Sequence, residues 1–393
     1  MRRFLGFLVL FLLLLGLGTP ARADKPFILG WFALIFYGGE GKTYDTTIPA
    51  RAAAEGYNTL FVYYAQIVSE GTFTGVSADK LDELLENARI SGVTLYLEIS
   101  RDAILSGKNL EGIVSFVRKY KNHPAVGGWY LIDEPELQEV NGEHVLRKNP
   151  QYVSDAYRAI QAEDPDHPVI IAFYGRSIRS GINIGPFVNS ADLLAVDYYP
   201  ILIPPYCSNT REFACDLFLS QMYPDLQQMS GLFEREKKPP MFLILQGSGY
   251  KKYDQREPTV AETRYYVLTS LQIPTSGVFF FMWELSSPAW RNEVLNPIVA
   301  QVKPYLPYLS QRVNTGIKTN NSNLAYQVFR KENEYFMFVT NPNKTSKSTT
   351  FTFTGSPFQK VPSTVTCDGK TIPVKRKQFT LNHTKFGANI CTF

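Results

Sequence analysis

Trp129-Tyr130-Leu131-Ile132-Asp133-Glu134-Pro135 runs from a solid apolar stretch straight into two acids. With Gly128 in front, residues 128–132 read as a strand buried on both faces, because the run is continuous rather than alternating. On one side of it, Leu110–Tyr120 places Leu110, Ile113, Val114 and Val117 on one helical stripe. On the other side, Tyr152–Glu163 has helical spacing as well. The same alternation continues in both directions. Further strands are expected at Phe27–Phe32, Thr59–Tyr64, Thr94–Ile99, Val169–Phe173, Leu193–Val196, Phe242–Gln246 and Val278–Trp283. Helices are expected at Ala78–Ile90, with Leu81, Leu84, Leu85 and Ala88 on one face, and at Leu217–Phe233, Val260–Leu271 and Arg291–Leu309.

Eight strands, most followed by room for a helix, predict a (β/α)8 TIM barrel over residues 24–312. An open doubly wound sheet would usually stop at fewer strands and carry a glycine-rich nucleotide turn after the first. The nearest such turn, Gly38-Gly39-Glu40-Gly41-Lys42-Thr43, has Phe36 where a phosphate loop needs its first glycine, so it reads as an ordinary loop. From about Val313 helical periodicity stops. Short alternating stretches follow at Ala325–Arg330, Glu334–Thr340, Thr349–Thr354, Val361–Cys367 and Gln378–Leu381, separated by turn residues. They predict a small all-β sandwich over residues 313–393.

The chain starts Met1-Arg2-Arg3, continues apolar from Phe4 to about Leu17, and then reads Thr19-Pro20-Ala21-Arg22-Ala23. These are the parts of a secretory signal peptide, expected over residues 1–23, and they imply a secreted or periplasmic protein. A membrane anchor would need roughly 20 apolar residues, more than this run offers, and no later stretch is long and apolar enough to span a bilayer. In an exported chain the four cysteines suggest disulfides. The simplest connectivity is local, Cys207 with Cys215 and Cys367 with Cys391, and the spacing does not suit zinc. A net charge of +4, spread along the chain, points to neither nucleic acid nor an acidic surface as partner. A monomer is expected. Aromatic residues make up 14%, which fits either well-filled cores or platforms on which sugar rings stack.

In a barrel of this kind the active site lies at the C-terminal ends of the strands. That rule picks out Glu98 at the end of strand three, Asp133 and Glu134 at strand four, and Asp197-Tyr198-Tyr199 at strand six. Gln246 ends strand seven, and Trp283-Glu284 ends strand eight. Trp31 and Tyr64 bring further aromatics from strands one and two. An acidic, aromatic mouth without a histidine cluster suits glycosidic chemistry, which needs paired carboxylates. No metal or cofactor is called for: His123, His144, His167 and His383 are isolated, and no Gly-x-Ser-x-Gly elbow occurs.

Gly128 to Pro135 resembles the strand-four signature of the large clan of retaining (β/α)8 glycosidases, which typically has Asn-Glu-Pro there. The resemblance covers the architecture of the mature chain but only short motifs. It implies that Glu134 is the general acid/base, that Asp133 replaces an asparagine contacting the sugar 2-hydroxyl, and that Trp283 floors the scissile sugar. Phe338-Val339-Thr340-Asn341-Pro342 resembles the sandwiches that trail such barrels. The chain departs from the clan at strand seven, where a nucleophilic glutamate is replaced by Gln246. A glutamine cannot form the glycosyl ester, so Asp133, Asp197 or Glu284 is left as base or nucleophile, or the barrel only binds sugar.

The leading expectation is therefore a secreted glycoside hydrolase acting on a polysaccharide or glycoconjugate. Glu134 would be its acid; Trp283, Tyr198, Tyr199, Gln246, Tyr64, Trp31 and Glu98 would bind substrate. The alternative is a non-catalytic carbohydrate-binding or cell-surface protein on the same scaffold. Strict strand alternation puts Asp133 and Glu134 on opposite faces. Glu134 has a plainer possible role as well, as half of a rim salt bridge with Arg101.

Overall fold

The computed structural model describes residues 27–34, 36–37, 43–63, 67–68, 72–73, 78–99, 110–136, 138–140, 143–146, 148–201, 212–249, 256–343, 345–355, 357–358 and 360–393. The signal segment, Gly38–Lys42, Tyr64, Arg101 and the Cys207–Cys215 pairing lie outside the described residues and side chains.

Eight parallel strands close into a barrel in sequence order. They are β1 (Ile28–Leu34), β2 (Thr59–Tyr63), β3 (Thr94–Glu98), β4 (Val126–Asp133), β5 (Val169–Tyr174), β6 (Leu193–Tyr198), β7 (Met241–Gln246) and β8 (Thr275–Phe281). Each coincides with a run expected from sequence. Helices follow the strands in turn: α1 (Ile48–Ala54), α2 (Ala78–Ser91), α3 (Leu110–Tyr120), α4 (Pro150–Glu163), the short α5 (Gly185–Val188), α6 (Glu212–Arg235), α7 (Val260–Leu271) and α8 (Asn296–Val302). Local chemistry fixes the start of α7: the Thr259 side chain caps the Glu262 N–H, while the Glu262 carboxylate accepts the Thr259 N–H, a reciprocal capping box.

Alternation along the strands creates two apolar layers. The residues pointing inward include Phe32, Phe61, Tyr96, Tyr130, Phe242 and Phe279, all buried in one cluster inside the barrel. Phe61 is its hub, stacked on Phe32 at 4.6 Å and Tyr96 at 5.0 Å, with Phe279 edge-on at 4.4 Å. Burying one such ring contributes about 1.5–3 kcal/mol. Rings this large leave no room for side chains beside them. A Cβ on Gly30 would sit 2.7 Å from the Phe279 ring, and one on Gly128 2.6 Å from Tyr96. The outward-pointing residues pack under the helices in the main core.

The C-terminal region holds two antiparallel sheets. The larger runs in the order β9 (Arg312–Val313), β11 (Ala325–Lys331), β12 (Glu334–Thr340), β17 (Ala388–Thr392), β14 (Thr364–Cys367), β15 (Lys370–Pro373). The smaller is β10 (Ile317–Thr319), β13 (Lys347–Phe353), β16 (Gln378–His383). Val328, Met337 and Val339 from the first meet Phe351, Phe353 and Phe379 from the second in one apolar core, as in a sandwich. The expected Cys367–Cys391 disulfide joins the neighbouring strands β14 and β17.

Helix α7 packs against β12 and β17, so the sandwich leans on the barrel. Arg264 fastens the seam by donating to Ala388 O at 3.0 Å, to Gln301 and to Asp368. Buried Gln272 adds a bond to Thr340 at 2.9 Å. Among the described residues, no helix is long and apolar enough to cross a membrane.

Candidate functional site

Strand β4 does not keep strict alternation. Tyr130 pairs with Ile170 and Ile132 with Ile171, so Leu131 is one extra residue opposite β5. Leu131 and Ile132 therefore both face the outer core, and the next residue turns back inward. Asp133 lies opposite inward-facing Ala172 and accepts a 2.7 Å hydrogen bond from the hydroxyl of inward-facing Tyr130. The expectation that Asp133 and Glu134 divide between the two faces of a regular strand is corrected by this bulge.

Glu134 has already left the strand. Its φ is +41°, a left-handed conformation uncommon for a residue with a Cβ and costing of order 1–3 kcal/mol. Its backbone N–H is tied to Ala172 O at 3.0 Å, and its side chain is half-buried at the rim.

Asp197 comes from the neighbourhood by regular alternation. Leu193 and Ala195 point inward on β6, so Asp197 does too, directly opposite Tyr174 on β5. It is 5% exposed, and its Oδ1 has no hydrogen-bond partner among the described residues. Burial first, then the charges of Asp133, Glu134 and Glu136, hold its carboxyl well above the usual aspartate range, with Tyr199 pulling the other way. A carboxyl so placed keeps its proton where ordinary aspartates have lost theirs.

Glu136, two residues beyond Glu134, was not singled out from sequence. It is fully buried, and its Oε1 accepts from the Tyr174 N–H at 2.7 Å and from Ser177 Oγ at 2.7 Å. Burial pushes its carboxyl up to about 7 against the pull of those two bonds and of its own backbone N–H, and Asp133 adds to the rise. Tyr174, also unforeseen, ends β5 half-buried; burial raises its hydroxyl, Arg176 lowers it and Glu134 raises it. Sequence offered one signal for Glu136, a third acid in Asp-Glu-Pro-Glu, but nothing in it showed that the last one is buried.

Glu98 ends β3 on the inward face, buried, level with Tyr130. Tyr199 stacks on Phe281 with centroids 5.4 Å apart, at the edge of the inner cluster. Glu284 sits half-buried in a turn at Trp283–Leu285, just past β8.

Three expected sugar-binding aromatics lie elsewhere. Trp31 is fully buried on the outward face of β1, against Phe280 at 5.4 Å and Trp283 at 5.4 Å. Trp283 is 2% exposed, with the Arg291 guanidinium 4.1 Å over its ring. Tyr198 is out of phase with Asp197 and faces α6, where its hydroxyl bonds Asp225 at 2.9 Å. All three are packing residues, and the high aromatic content goes largely into cores.

Gln246 is a further correction. It has inward phase on β7 but is 2% exposed, and its amide is consumed by backbone. Oε1 accepts from the Ile201 N–H at 2.8 Å, while Nε2 donates to Ile201 O at 2.9 Å and Ser248 O at 3.3 Å. Where a substrate-positioning amide was expected, the structure has a clamp on the segment following β6. A cavity of about 570 Å³ lies away from this mouth. It lies at the seam with the sandwich, between Arg264, Tyr305 and Asp368.

No family model matches this sequence, and no curated protein matches it. Solved structures do. A maltogenic α-amylase, AmyB, from Thermotoga neapolitana superposes with a TM-score of 0.58 at 11% identity, covering 93% of this chain and 98% of that one. A family 39 glycoside hydrolase from Bacteroides cellulosilyticus gives 0.52 at 12%, covering 94% and 81%. A GH30 endoxylanase from Clostridium papyrosolvens gives 0.51 at 13%, covering 94% and 97%. The likeness is one of fold: a closed eight-stranded parallel barrel with a C-terminal sheet domain, the architecture shared by these glycoside hydrolases.

Proposed function

We propose that this protein is an exported O-glycoside hydrolase acting on a polysaccharide or glycoconjugate, with Glu134 as proton donor. The observation that carries the reading is the meeting of Asp133, Glu134 and Asp197 at one end of the barrel, close enough for their charges to raise Asp197. Glycosidic cleavage needs one carboxyl that holds a proton and one that does not. Crowding three carboxylates in a half-buried mouth is a physical way to obtain both. Glu134 is half-buried, like Asp133 and unlike buried Asp197, and is held in a strained backbone conformation, as reacting residues often are. Asp133, oriented by Tyr130, is the second carboxylate, serving as base or nucleophile. The mature chain is proposed to begin near Asp24 and to act as a monomer, with the barrel over residues 24–312 and a bracing sandwich over residues 313–393.

One observation favours a second reading. The amide of Gln246 occupies the place of the clan's nucleophile and is committed to backbone, which suits a barrel that binds sugar without cleaving it. Reducing-sugar release from xylan, β-glucan, starch and galactan, for wild type and Glu134→Gln, separates the two. Release that disappears in Glu134→Gln supports the hydrolase. Equal release by both proteins removes Glu134 from its role. No release, with retardation of the protein in a polysaccharide-containing gel, favours the binding protein.

A further inference from the structure

Beyond the three mouth carboxylates lies one more buried acid for which the proposed reaction has no direct use. Glu136 is fully buried and bridges two turns. Through its own backbone it belongs to the turn that carries Glu134; through Oε1 it holds the Tyr174 N–H at the end of β5 and Ser177 Oγ beyond it. Its other oxygen, Oε2, has no hydrogen-bond partner among the described residues. The groups acting on it are Asp133 and its own backbone N–H on its own segment, Tyr174 at the end of β5 with Ser177 beyond it, and Asp197 on β6. Among the described residues, Arg176 acts on Tyr174 and sits 3.6 Å from Asp225, Arg179 pairs with the same aspartate, and the Lys148 N–H donates to Pro135 O at 3.0 Å beside Glu136. A charged carboxylate here would have one bare oxygen in an apolar setting, facing two more acids. A neutral one lowers that cost.

We propose that Glu136 is a positioning residue of the carboxylate site, acting as a neutral acid that fixes the Glu134 turn against the end of β5. The inference rests on the hydrolase reading for its kinetic part and stands on the buried bridge for its structural part. Its position near 7, against 4.5 for an unburied glutamate, sets the direction of the pH effect. Between those values the folded chain holds a proton that the unfolded chain has released. Stability from this group is therefore complete below the unfolded value, falls as pH rises through the folded value, and is level beyond it.

Two variants separate the parts. Glu136→Gln keeps an acceptor for both bonds and cannot ionise, whereas Glu136→Ala loses the bridge. Thermal unfolding is followed from about pH 4 to about pH 9 for wild type and both variants. kcat and KM are measured, well below the melting temperature, on whichever of xylan, β-glucan, starch or galactan the wild type hydrolyses. The wild-type melting temperature is expected to drop relative to Glu136→Gln by about 5 °C or more between pH 4.5 and 7 and then to track it. Glu136→Ala is expected to lose about 10–100-fold in kcat with KM nearly unchanged, and glutamine to rescue most of that loss. A melting difference that does not change with pH overturns the neutral acid. Equal kcat in wild type and Glu136→Ala overturns the positioning role even if Glu134→Gln is dead, leaving the hydrolase reading intact. Absence of hydrolysis by wild type on every polysaccharide sinks that reading and takes the positioning role with it.

Discussion

Strands β4 and β7 end at the same rim of the barrel, and they end in opposite ways. At β4 an extra residue, Leu131, swings Asp133 into the barrel, and the chain leaves through Glu134 at φ +41°. Both acids remain half-buried and close to a third, Asp197. At β7 the register is regular from Phe242 onward, and Gln246 reaches the rim in the inward phase but hands its amide to backbone. One strand end is shaped to present titratable groups and is strained in doing so. The other is saturated and holds its neighbour in place. The difference teaches that inward phase at a strand end is not enough to make a site residue: an amide taken up by backbone braces the rim instead.

The contrast is most sharply broken at Glu134. Glu134→Gln is expected to reduce glycan hydrolysis by about 10²–10⁴-fold, the range for losing a general acid, while the melting temperature stays near wild type. A comparable loss of activity accompanied by unfolding would make the residue structural.

Gln246→Glu tests the other end. It supplies the carboxylate that the clan has at this place, but the oxygen replacing Nε2 would face Ile201 O and Ser248 O, where an amide now donates. The expected outcome is a loss of about 2–3 kcal/mol in chemical denaturation, with no gain in turnover. A stable and faster variant would show that β7 is a catalytic strand after all.

Asp197→Asn probes the electrostatics of the shared mouth. Because Asp197 keeps its proton in the folded chain above the unfolded value of 3.8, wild-type stability is complete below that pH and declines as pH rises toward the raised folded value. The asparagine variant should show a flatter stability–pH curve across the acid range, read from melting temperatures in a buffer series. An unchanged slope would mean that the cluster does not confine a proton there.

The smallest effect expected is that of Tyr130→Phe. Removing the 2.7 Å bond to Asp133 should cost about 0.5–1.5 kcal/mol and slow hydrolysis modestly, with the pH profile retaining its shape. No change in either would detach Tyr130 from the orientation of Asp133.

Trp283 and Gln246 show where reading the sequence stopped short. Gln246 ends its strand as expected, whereas Trp283 falls in the turn just past β8, which stops at Phe281. What they do there depended on neighbours far along the chain. Arg291 covers the Trp283 ring, and Ile201 takes the Gln246 amide. Neither partner is marked by spacing or periodicity. Trp31 and Tyr198 failed as site residues for a simpler reason: one-residue phase on a strand decides between mouth and outer core, and the runs carrying them are apolar on both faces.

By itself the sequence determined the barrel, its eight strands and the following all-β region, since these follow from local runs and turn residues, and it made Cys367–Cys391 the simplest pairing. It also placed Asp133, Glu134 and Asp197 at strand ends. Only the tertiary structure decided that a bulge turns Asp133 inward, that Glu136 is buried, and that the carboxylates stand near enough to raise Asp197. Register, burial and Coulomb energy depend on distances between residues remote in sequence, and closing the barrel is what sets those distances.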